Sequence, residues 1–160
     1  MKNIIIFFIL ITIILVILVS SIVKTKKKRL TIFTSSFNLK YQDNIKKLIN
    51  KLDPNKIIIV IGSRYEGLMG VISETFIKNK GEVISVNTKQ FINPKFNDDY
   101  KYDNLRDRQN KLIELGDEYL ILPGGIGTTS ELVDVLIKNN IKESNKKYIF
   151  TILMDFMIIL

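Results

Sequence analysis

The chain has 160 residues, 46% hydrophobic and 25% charged, which suits one modest globular domain. It contains no cysteine, which excludes disulfide scaffolds, cysteine-ligated zinc and thiol nucleophiles. It contains no histidine, which excludes a Ser-His-Asp triad and the usual neutral-pH general base. The net charge of +8 comes mainly from the N-terminal region, since residues 30–160 hold 18 basic and 16 acidic side chains. Nucleic acid is therefore not expected as a partner.

The N-terminal region carries a 20-residue stretch without charge, Ile4–Val23, followed by Lys24 and the basic run Lys26–Arg29. A helix of this length spans about 30 Å, the thickness of the hydrocarbon core of a bilayer. We predict a single-pass membrane anchor over residues 1–29, with its helix at 4–23; a cleaved signal peptide and a buried core helix are the alternatives. The basic flank predicts that the remainder faces the cytosol and that the flank contacts anionic membrane lipids.

The rest of the chain alternates between strand and helix patterns. Short apolar, often β-branched runs predict strands at 30–34, 56–61, 82–86, 119–122 and 148–154. Apolar residues at helical spacing predict helices at 40–51, from Gly67 to about Gly81, at 104–115 and after Gly125, and residues 87–103 form a predicted long loop. Repeated strand–helix units predict an α/β fold, a Rossmann-like doubly wound parallel sheet of about five strands over residues 30–160.

Two glycine-rich loops follow predicted strands, at Gly62–Gly70 and Pro123–Glu131. Glycines allow backbone amides to approach a ligand closely, and the helix after each loop directs its positive end toward it. Neither loop matches a Walker A or G-x-G-x-x-G pattern. Glycine is also needed for the strand-to-helix turn itself, but two such loops at carboxyl ends of strands indicate a phosphate or nucleotide site.

Two charged residues have a structural interpretation when their spacing in the sequence is considered alone. Thr128-x-x-Glu131 fits a capping box, in which the glutamate only caps its own helix. Arg108, in the first turns of the predicted helix 104–115, fits a solvated surface residue. Spacing alone favours these structural roles.

Three segments resemble the LOG (Lonely Guy) family, whose members were once labelled lysine decarboxylases. ILPGGIGTTSELVDVL at 121–136 is similar to the family motif PGGxGTxxE, and Arg108 stands where the family has an arginine some fifteen residues before PGG. GLMG at 67–70 matches a second family motif, and IFTSS at 32–36 is similar to the serine loop after the first strand. The resemblance covers about residues 30–155. It departs where Gln109 replaces a lysine and Gly62-Ser63-Arg64 replaces a run of glycines.

The resemblance implies a phosphoribohydrolase that cleaves the N-glycosidic bond of AMP or N6-modified AMP, giving free base and ribose 5-phosphate. It implies that Arg108 and Glu131 are catalytic and that the phosphate and substrate contacts come from Gly62, Gly67, Met69, Gly70, Gly124, Gly125, Gly127 and Thr128. It also implies a homodimer, no metal or redox cofactor, and a closing helical segment that does not follow the fifth predicted strand here, so a C-terminally truncated or a degenerate member is expected. The alternatives are a non-catalytic, membrane-tethered nucleotide sensor and a structural membrane protein.

Overall fold

The structure is a computed structural model that describes residues 11–15, 26–36, 39–91, 98–141 and 146–150. Within them the strands are β1 (Lys28–Phe33), β2 (Ile57–Ile61), β3 (Glu82–Thr88), β4 (Tyr100–Tyr102), β5 (Glu118–Ile121) and β6 (Lys147–Phe150). The helices of the domain are α1 (Gln42–Ile49), α2 (Gly67–Lys78), α3 (Leu105–Leu115) and α4 (Ile126–Asn140), with a 3₁₀ turn at Lys89–Phe91.

The strands form one parallel sheet in the order β4-β3-β2-β1-β5-β6. The chain starts at the central strand β1, moves outward through β2, β3 and β4, and then returns to the other side of β1 with β5. The strand order therefore reverses between β1 and β5. In open α/β sheets a crevice opens at the carboxyl ends of the strands at this switch point.

Apolar side chains fill both faces of the sheet, as the continuous β-branched runs predict. Alternate residues of a strand point to opposite faces, so Ile59 and Ile61 of β2 belong to one hydrophobic cluster and Val60 to the other. Helices α1 and α2 cover the first face, where Ile49, Ile72 and other buried residues pack. Helices α3 and α4 cover the second face. The α/β Rossmann-like fold is thus confirmed.

The sheet differs from the prediction in strand number. The predicted long loop 87–103 contains the end of β3, the 3₁₀ turn and the edge strand β4, so the described part of the sheet has six strands rather than about five. Strand β4 is three residues long and pairs with Val86–Thr88. Its Tyr-Lys-Tyr sequence is too short for a period-2 pattern, and only its pairing with β3 defines it as a strand.

Strand β1 begins at Lys28, two residues before the predicted strand, and so includes part of the basic flank. The Lys28 Nζ donates to Glu118 Oε1 at 2.8 Å, and the Arg29 amide donates to Asp117 Oδ2 at 2.8 Å. Two of the basic residues read as a membrane flank thus also tie β1 to the start of β5.

Most of the predicted anchor lies outside the described residues. Only residues 11–15 of the stretch 4–23 are described, and they are helical. Within the described ranges, no helix combines the length and apolar character needed to cross a bilayer. The predicted strand 148–154 is described as far as Phe150, the end of β6.

Candidate active site

Hydrogen bonds hold the loops after β1 and β5 together at the switch point. The Leu122 amide donates to the Phe33 carbonyl at 2.9 Å, and both the Ser35 amide and the Thr34 hydroxyl donate to the Pro123 carbonyl, at 3.2 and 3.0 Å. The serine loop and the Pro-Gly-Gly turn therefore form one side of a shared crevice. Both lie at the carboxyl edge of the sheet, where the sequence predicts the second glycine-rich loop.

Helix α4 begins directly after the second glycine loop. Its N-cap is Gly125, and a Cβ at Gly124 would lie 2.0 Å from the Thr128 hydroxyl, so the backbone and this side chain pack closely. Positions 125 and 127 are open, because no described atom lies within 4 Å of where a Cβ would be placed. The start of α4 thus borders open space at these two positions, which suits an anion at the positive end of the helix.

The capping interpretation of Glu131 is wrong. With Gly125 as the N-cap, Thr128 is the third residue of α4 and Glu131 the sixth, beyond the first turn. None of the side chains that the structure describes caps this helix at Gly125, and the Glu131 carboxylate instead accepts a hydrogen bond from Arg108. Spacing alone favoured the cap because it does not reveal where the helix begins.

Arg108 reaches the crevice from helix α3 and is not a solvated surface residue. The Asn104 side chain accepts from the Asp107 amide at 2.9 Å and so caps α3, which sets Arg108 in its first turn. Its Nη1 lies 3.4 Å from Glu131 Oε1, and its Nε donates to the Val86 carbonyl at 3.1 Å. The two paired side chains are only 14% and 11% exposed.

Gly62 makes room for the Arg108 guanidinium. A Cβ at position 62 would lie 1.8 Å from Arg108 Nη2 and 3.3 Å from Met69 Sδ. The first glycine loop therefore contributes the wall against which the guanidinium rests. Strand β3 holds the Nε, Gly62 borders one Nη, and Glu131 accepts from the other.

Burial raises the pKa of Glu131 to about 7, against an ordinary value of 4.5, although the Arg108 guanidinium acts in the opposite direction. The loss of hydration outweighs the attraction of the arginine because the carboxyl group is almost completely removed from water. A carboxyl group with a pKa near neutrality can both accept and return a proton at physiological pH. Within the described residues, no cluster of acidic side chains could hold a metal ion.

The crevice has a volume of about 300 Å³. The residues that line it and were predicted from the sequence are Gly62, Met69, Arg108, Gly125, Gly127, Thr128 and Glu131. Ile126 and the residues Ile32–Ser36 also line it and were not in the predicted site. The serine loop carried a sequence signal for its position, turn residues directly after an apolar strand, but turn chemistry does not distinguish a ligand-binding loop from a simple turn.

Three predicted site residues do not line the crevice. Gly67 has a φ of 49° and is the first residue of α2, where the left-handed backbone favours glycine. A Cβ at Gly70 would lie 2.8 Å from the backbone carbonyl carbon of Tyr65, and Gly124 packs on Thr128. These glycines allow the loops to adopt their shape.

A comparison with protein families matches the part of the chain that contains most of the predicted site residues. A family model described as "Possible lysine decarboxylase", the older label of the LOG family, matches residues 69–156, more than half of the chain. The chain belongs to the LOG family. The matched range contains Met69, Arg108 and the whole PGGIGTTSE segment. The family resemblance inferred from the motifs is confirmed.

Curated relatives agree with this membership at low identity. The chain is 25% identical to the cytokinin riboside 5′-monophosphate phosphoribohydrolase of Rhodococcoides fascians, covering 74% of this chain and 65% of that protein. It is 28% identical to a phosphoribohydrolase of the same name from Arabidopsis thaliana, covering 71% and 56%. The chain thus spans between about half and two thirds of the length of these LOG relatives.

Solved structures share the fold of this LOG-family chain. DNA processing protein A of Streptococcus pneumoniae superposes with a TM-score of 0.57 at 14% identity, covering 81% of this chain and 62% of that one. The Moco carrier protein of Chlamydomonas reinhardtii superposes with a TM-score of 0.52 at 14% identity, covering 78% and 76%. At this identity the likeness concerns the fold alone.

Gln109 and Arg64 mark the two departures from the LOG pattern. Gln109 stands where the family has lysine, and its amide donates to Asp134 Oδ2 at 2.5 Å, outside the residues that line the crevice. Arg64 occupies the altered glycine run and bonds Asp99, the Ser85 hydroxyl at 3.0 Å and the Val83 carbonyl at 2.5 Å. Its charge is therefore used to join the first glycine loop to β3 and to the segment before β4.

Proposed function

We propose that this LOG-family chain is a nucleoside 5′-monophosphate phosphoribohydrolase that hydrolyses AMP or N6-modified AMP to free base and ribose 5-phosphate. The observation that carries the proposal is the buried Arg108–Glu131 pair in a crevice bordered by the first turn of α4. Family membership and the names of the curated relatives support a hydrolase of this class. AMP is the smallest substrate that carries the 5′-phosphate, the ribose and the purine base that the crevice would need to recognise.

The mechanism follows from the charge that develops when the base departs. Breaking the bond between C1′ and the base nitrogen places positive charge on the ribose, and a carboxylate beside C1′ stabilises it. Water adds its oxygen to C1′ and gives one proton to Glu131, while the base leaves with the bonding electron pair and takes up a proton from solvent. With its pKa near neutrality, Glu131 is suited to accept the proton. Arg108 orients the carboxylate and binds the departing base.

The 5′-phosphate would bind at the first turn of α4. Gly125 and Gly127 line the crevice and have open space beside their Cα atoms, and the hydroxyls of Ser35, Ser36 and Thr128 belong to residues that line the same crevice. Backbone donors and the positive end of a helix favour a phosphate over a neutral group. The sugar would then extend from this turn toward Glu131, which lies one turn further along α4.

The test is incubation of the full chain, in detergent or nanodiscs, with AMP and N6-substituted AMP. We expect free base and ribose 5-phosphate in equal amounts, and no release of base from adenosine at comparable concentration. Binding of AMP without turnover would instead assign the sensor function. Neither binding nor turnover with any purine 5′-monophosphate would contradict the proposal as a whole.

Thermal protection provides an independent test of the phosphate position. AMP and inorganic phosphate are expected to raise the melting temperature of the chain, and adenosine much less, because the first turn of α4 recognises the anion. At 100 times the dissociation constant the stabilisation corresponds to about 2.7 kcal/mol. Equal protection by adenosine and AMP, measured by differential scanning fluorimetry, would contradict this assignment.

We also propose that the chain is a homodimer. Four large apolar residues recur at helical spacing along α4 and its C-cap: Ile126, Val133, Ile137 and Ile141, which are 83%, 45%, 50% and 55% exposed. Such a stripe of large apolar side chains is typical of a surface that another protein covers. Because Ile126 also lines the crevice, a second copy on this stripe would border the substrate. The molecular mass of the solubilised chain, corrected for detergent, should be that of two copies.

A membrane anchor at residues 4–23, with the domain on the cytosolic side, remains our proposal for localisation. The described residues Ile11, Ile13, Ile14 and Leu15 are helical and 37–57% exposed, which favours an apolar helix that does not pack into the domain core. The basic residues that follow the stretch support the orientation.

Topology can be tested with a protease added to either side of sealed membranes. Added from the cytosolic side, it should digest the domain; added from the opposite side, it should leave the domain intact. Replacing Lys24, Lys26 and Lys27 by Gln should produce mixed orientations without abolishing insertion, because the orienting charge is reduced while the apolar stretch is unchanged. Lys28 and Arg29 are left in place because they bond to Glu118 and Asp117. If the domain resists protease that is added from the cytosolic side, the proposed orientation is wrong.

A further inference from the structure

Charge is segregated between the two edges of the parallel sheet. We call the amino edge the set of segments that contain the last turns of helices, the first residues of strands and the turns between them: 26–29, 46–58, 75–83, 112–119, 137–141 and 146–147. The start of the short strand β4 is not included, because Tyr100 pairs with Val86 in the second half of β3. These segments carry thirteen basic and five acidic side chains, whereas the other described residues carry seven basic and nine acidic ones. The amino edge thus holds the whole positive excess of the described chain, and the crevice lies at the opposite edge.

Local structural roles do not account for this excess. Lysines in the last turn of a helix compensate the negative end of its dipole, about half a charge per helix, so four helix ends offset about two charges. Two of the acidic residues at this edge, Asp117 and Glu118, already face Arg29 and Lys28. Lys46, Lys47 and Lys51 are exposed at the end of α1. Most of the positive charge at the amino edge therefore faces solvent.

The chain itself connects this edge to the apolar stretch Ile4–Val23. From Val23 to the first residue of β1 there are five peptide steps, which span at most about 18 Å. Lys26 and Lys27 lie within this connection, and together with Arg29 they line an open groove bordered by Asn55 and Glu82. When the apolar stretch is inserted in a bilayer, this short connection keeps the amino edge close to the lipid headgroups.

We infer that the amino edge rests on an anionic bilayer surface and that the crevice is thereby turned toward the aqueous phase. The inference rests on the proposed anchor for its proximity argument, and on the observed charge distribution for its partner. The six residues of β1 separate the two edges by about 20 Å. Beyond a Debye length of about 8 Å the membrane field is largely screened, so a nucleotide anion reaches the crevice without strong repulsion.

The orientation can be measured with single cysteines, because the natural chain has none. Asn55→Cys places a label at the amino edge and Leu39→Cys places one at the carboxyl edge; both side chains are exposed. The full chain is reconstituted into nanodiscs that contain a headgroup-spin-labelled lipid. We expect strong quenching of a fluorophore at position 55 and weak quenching at position 39 in discs with phosphatidylserine. In pure phosphatidylcholine discs, or at 0.5 M salt, quenching at position 55 should fall toward that at position 39.

Charge variants provide the matched control. Replacement of Lys46, Lys47 and Lys51 by Gln should reduce the phosphatidylserine-dependent quenching at position 55. Each charge removed should weaken the affinity for the anionic lipid surface about fivefold. The same change at Lys40, Lys89 and Lys101, outside the amino edge, should have little effect. Equal quenching at both labels, or quenching at position 55 that does not respond to lipid charge and salt, would overturn the inference.

Flotation with vesicles separates this inference from the anchor. If the chain floats with neutral vesicles and stays bound at high salt, the anchor is supported. If it floats only with anionic vesicles and is released by salt, the basic edge is supported and the anchor is contradicted. No flotation with either would contradict both. Protection of the label at position 55 by a short RNA, with no dependence on lipid composition, would assign the edge to nucleic acid and overturn the membrane partner.

Discussion

Glu131→Gln is expected to lower the turnover of AMP by about 10²–10³-fold while AMP binding and folding persist. The substitution keeps the shape of the side chain and an oxygen that accepts from Arg108, but it removes the negative charge where positive charge develops on the ribose. Rates of base release, AMP affinity and melting temperature, measured on the same preparations, test this expectation. Turnover within a few-fold of the natural chain would show that another group carries the reaction.

Asp134→Asn is the matched control for this substitution. Asp134 also lies on α4, but its carboxylate bonds Gln109 and Arg106 and does not line the crevice. Removing its charge should change turnover little. A loss as large as that of Glu131→Gln would show that general charge on α4, and not the carboxylate in the crevice, supports the reaction.

The pH dependence of stability distinguishes the buried carboxylate from a solvated one. Because the folded pKa of Glu131 is raised to about 7, the folded state binds the proton more tightly than the unfolded state. The resulting stabilisation is complete below the ordinary pKa of 4.5 and is lost as the pH rises through 7. Glu131→Gln, which cannot ionise, should therefore be the more stable form at pH 8, by on the order of 3 kcal/mol, and the difference should shrink toward pH 5.

Gly62→Ala is expected to reduce turnover by about 10²-fold with little change in melting temperature. The new Cβ would lie 1.8 Å from Arg108 Nη2, which is the far end of a flexible side chain. The guanidinium can move without disturbing the backbone, so the fold tolerates the methyl group. The movement withdraws the arginine from Glu131 and from the base. Turnover and thermal melting of this variant test the expectation.

A double-mutant cycle shows whether the effect of Gly62→Ala acts through Arg108. In an Arg108→Ala background the methyl group meets no guanidinium, so Gly62→Ala should cause little additional loss. Additive losses of turnover in the double variant would show that position 62 acts by another route. Gly125→Ala, at a position where no described atom lies within 4 Å of a Cβ, shows what a methyl group in the crevice does by itself.

The alternation of strands and helices could be read from the sequence because it depends on local periodicity. The β-branched run 57–61 and the apolar spacing of α2 reflect burial on two faces and on one face, respectively. Glycine and proline marked the turns for the same local reason. The short edge strand β4 escaped because three residues carry no period, and only its partner β3 makes it a strand.

The site residues could be proposed from motifs, but their arrangement depends on contacts distant in sequence. Arg108 and Glu131 are 23 residues apart, and no local pattern indicates that a guanidinium from α3 meets a carboxylate from α4. Spacing alone favoured a cap for Glu131 and a surface position for Arg108. The helix start at Gly125 and the burial between α3, α4 and the sheet reversed both interpretations.

The sequence by itself determined the fold class, the family and the identity of the two paired residues, because each depends on local pattern or on motif. The tertiary structure alone decided that the two meet in one crevice, that burial raises the pKa of the carboxyl group, and that Gly62 makes room for the guanidinium. It also decided that the basic residues gather at the edge opposite the crevice. Each of these properties depends on which segments the folded chain brings together, because hydration, steric fit and the field of neighbouring charges act through space.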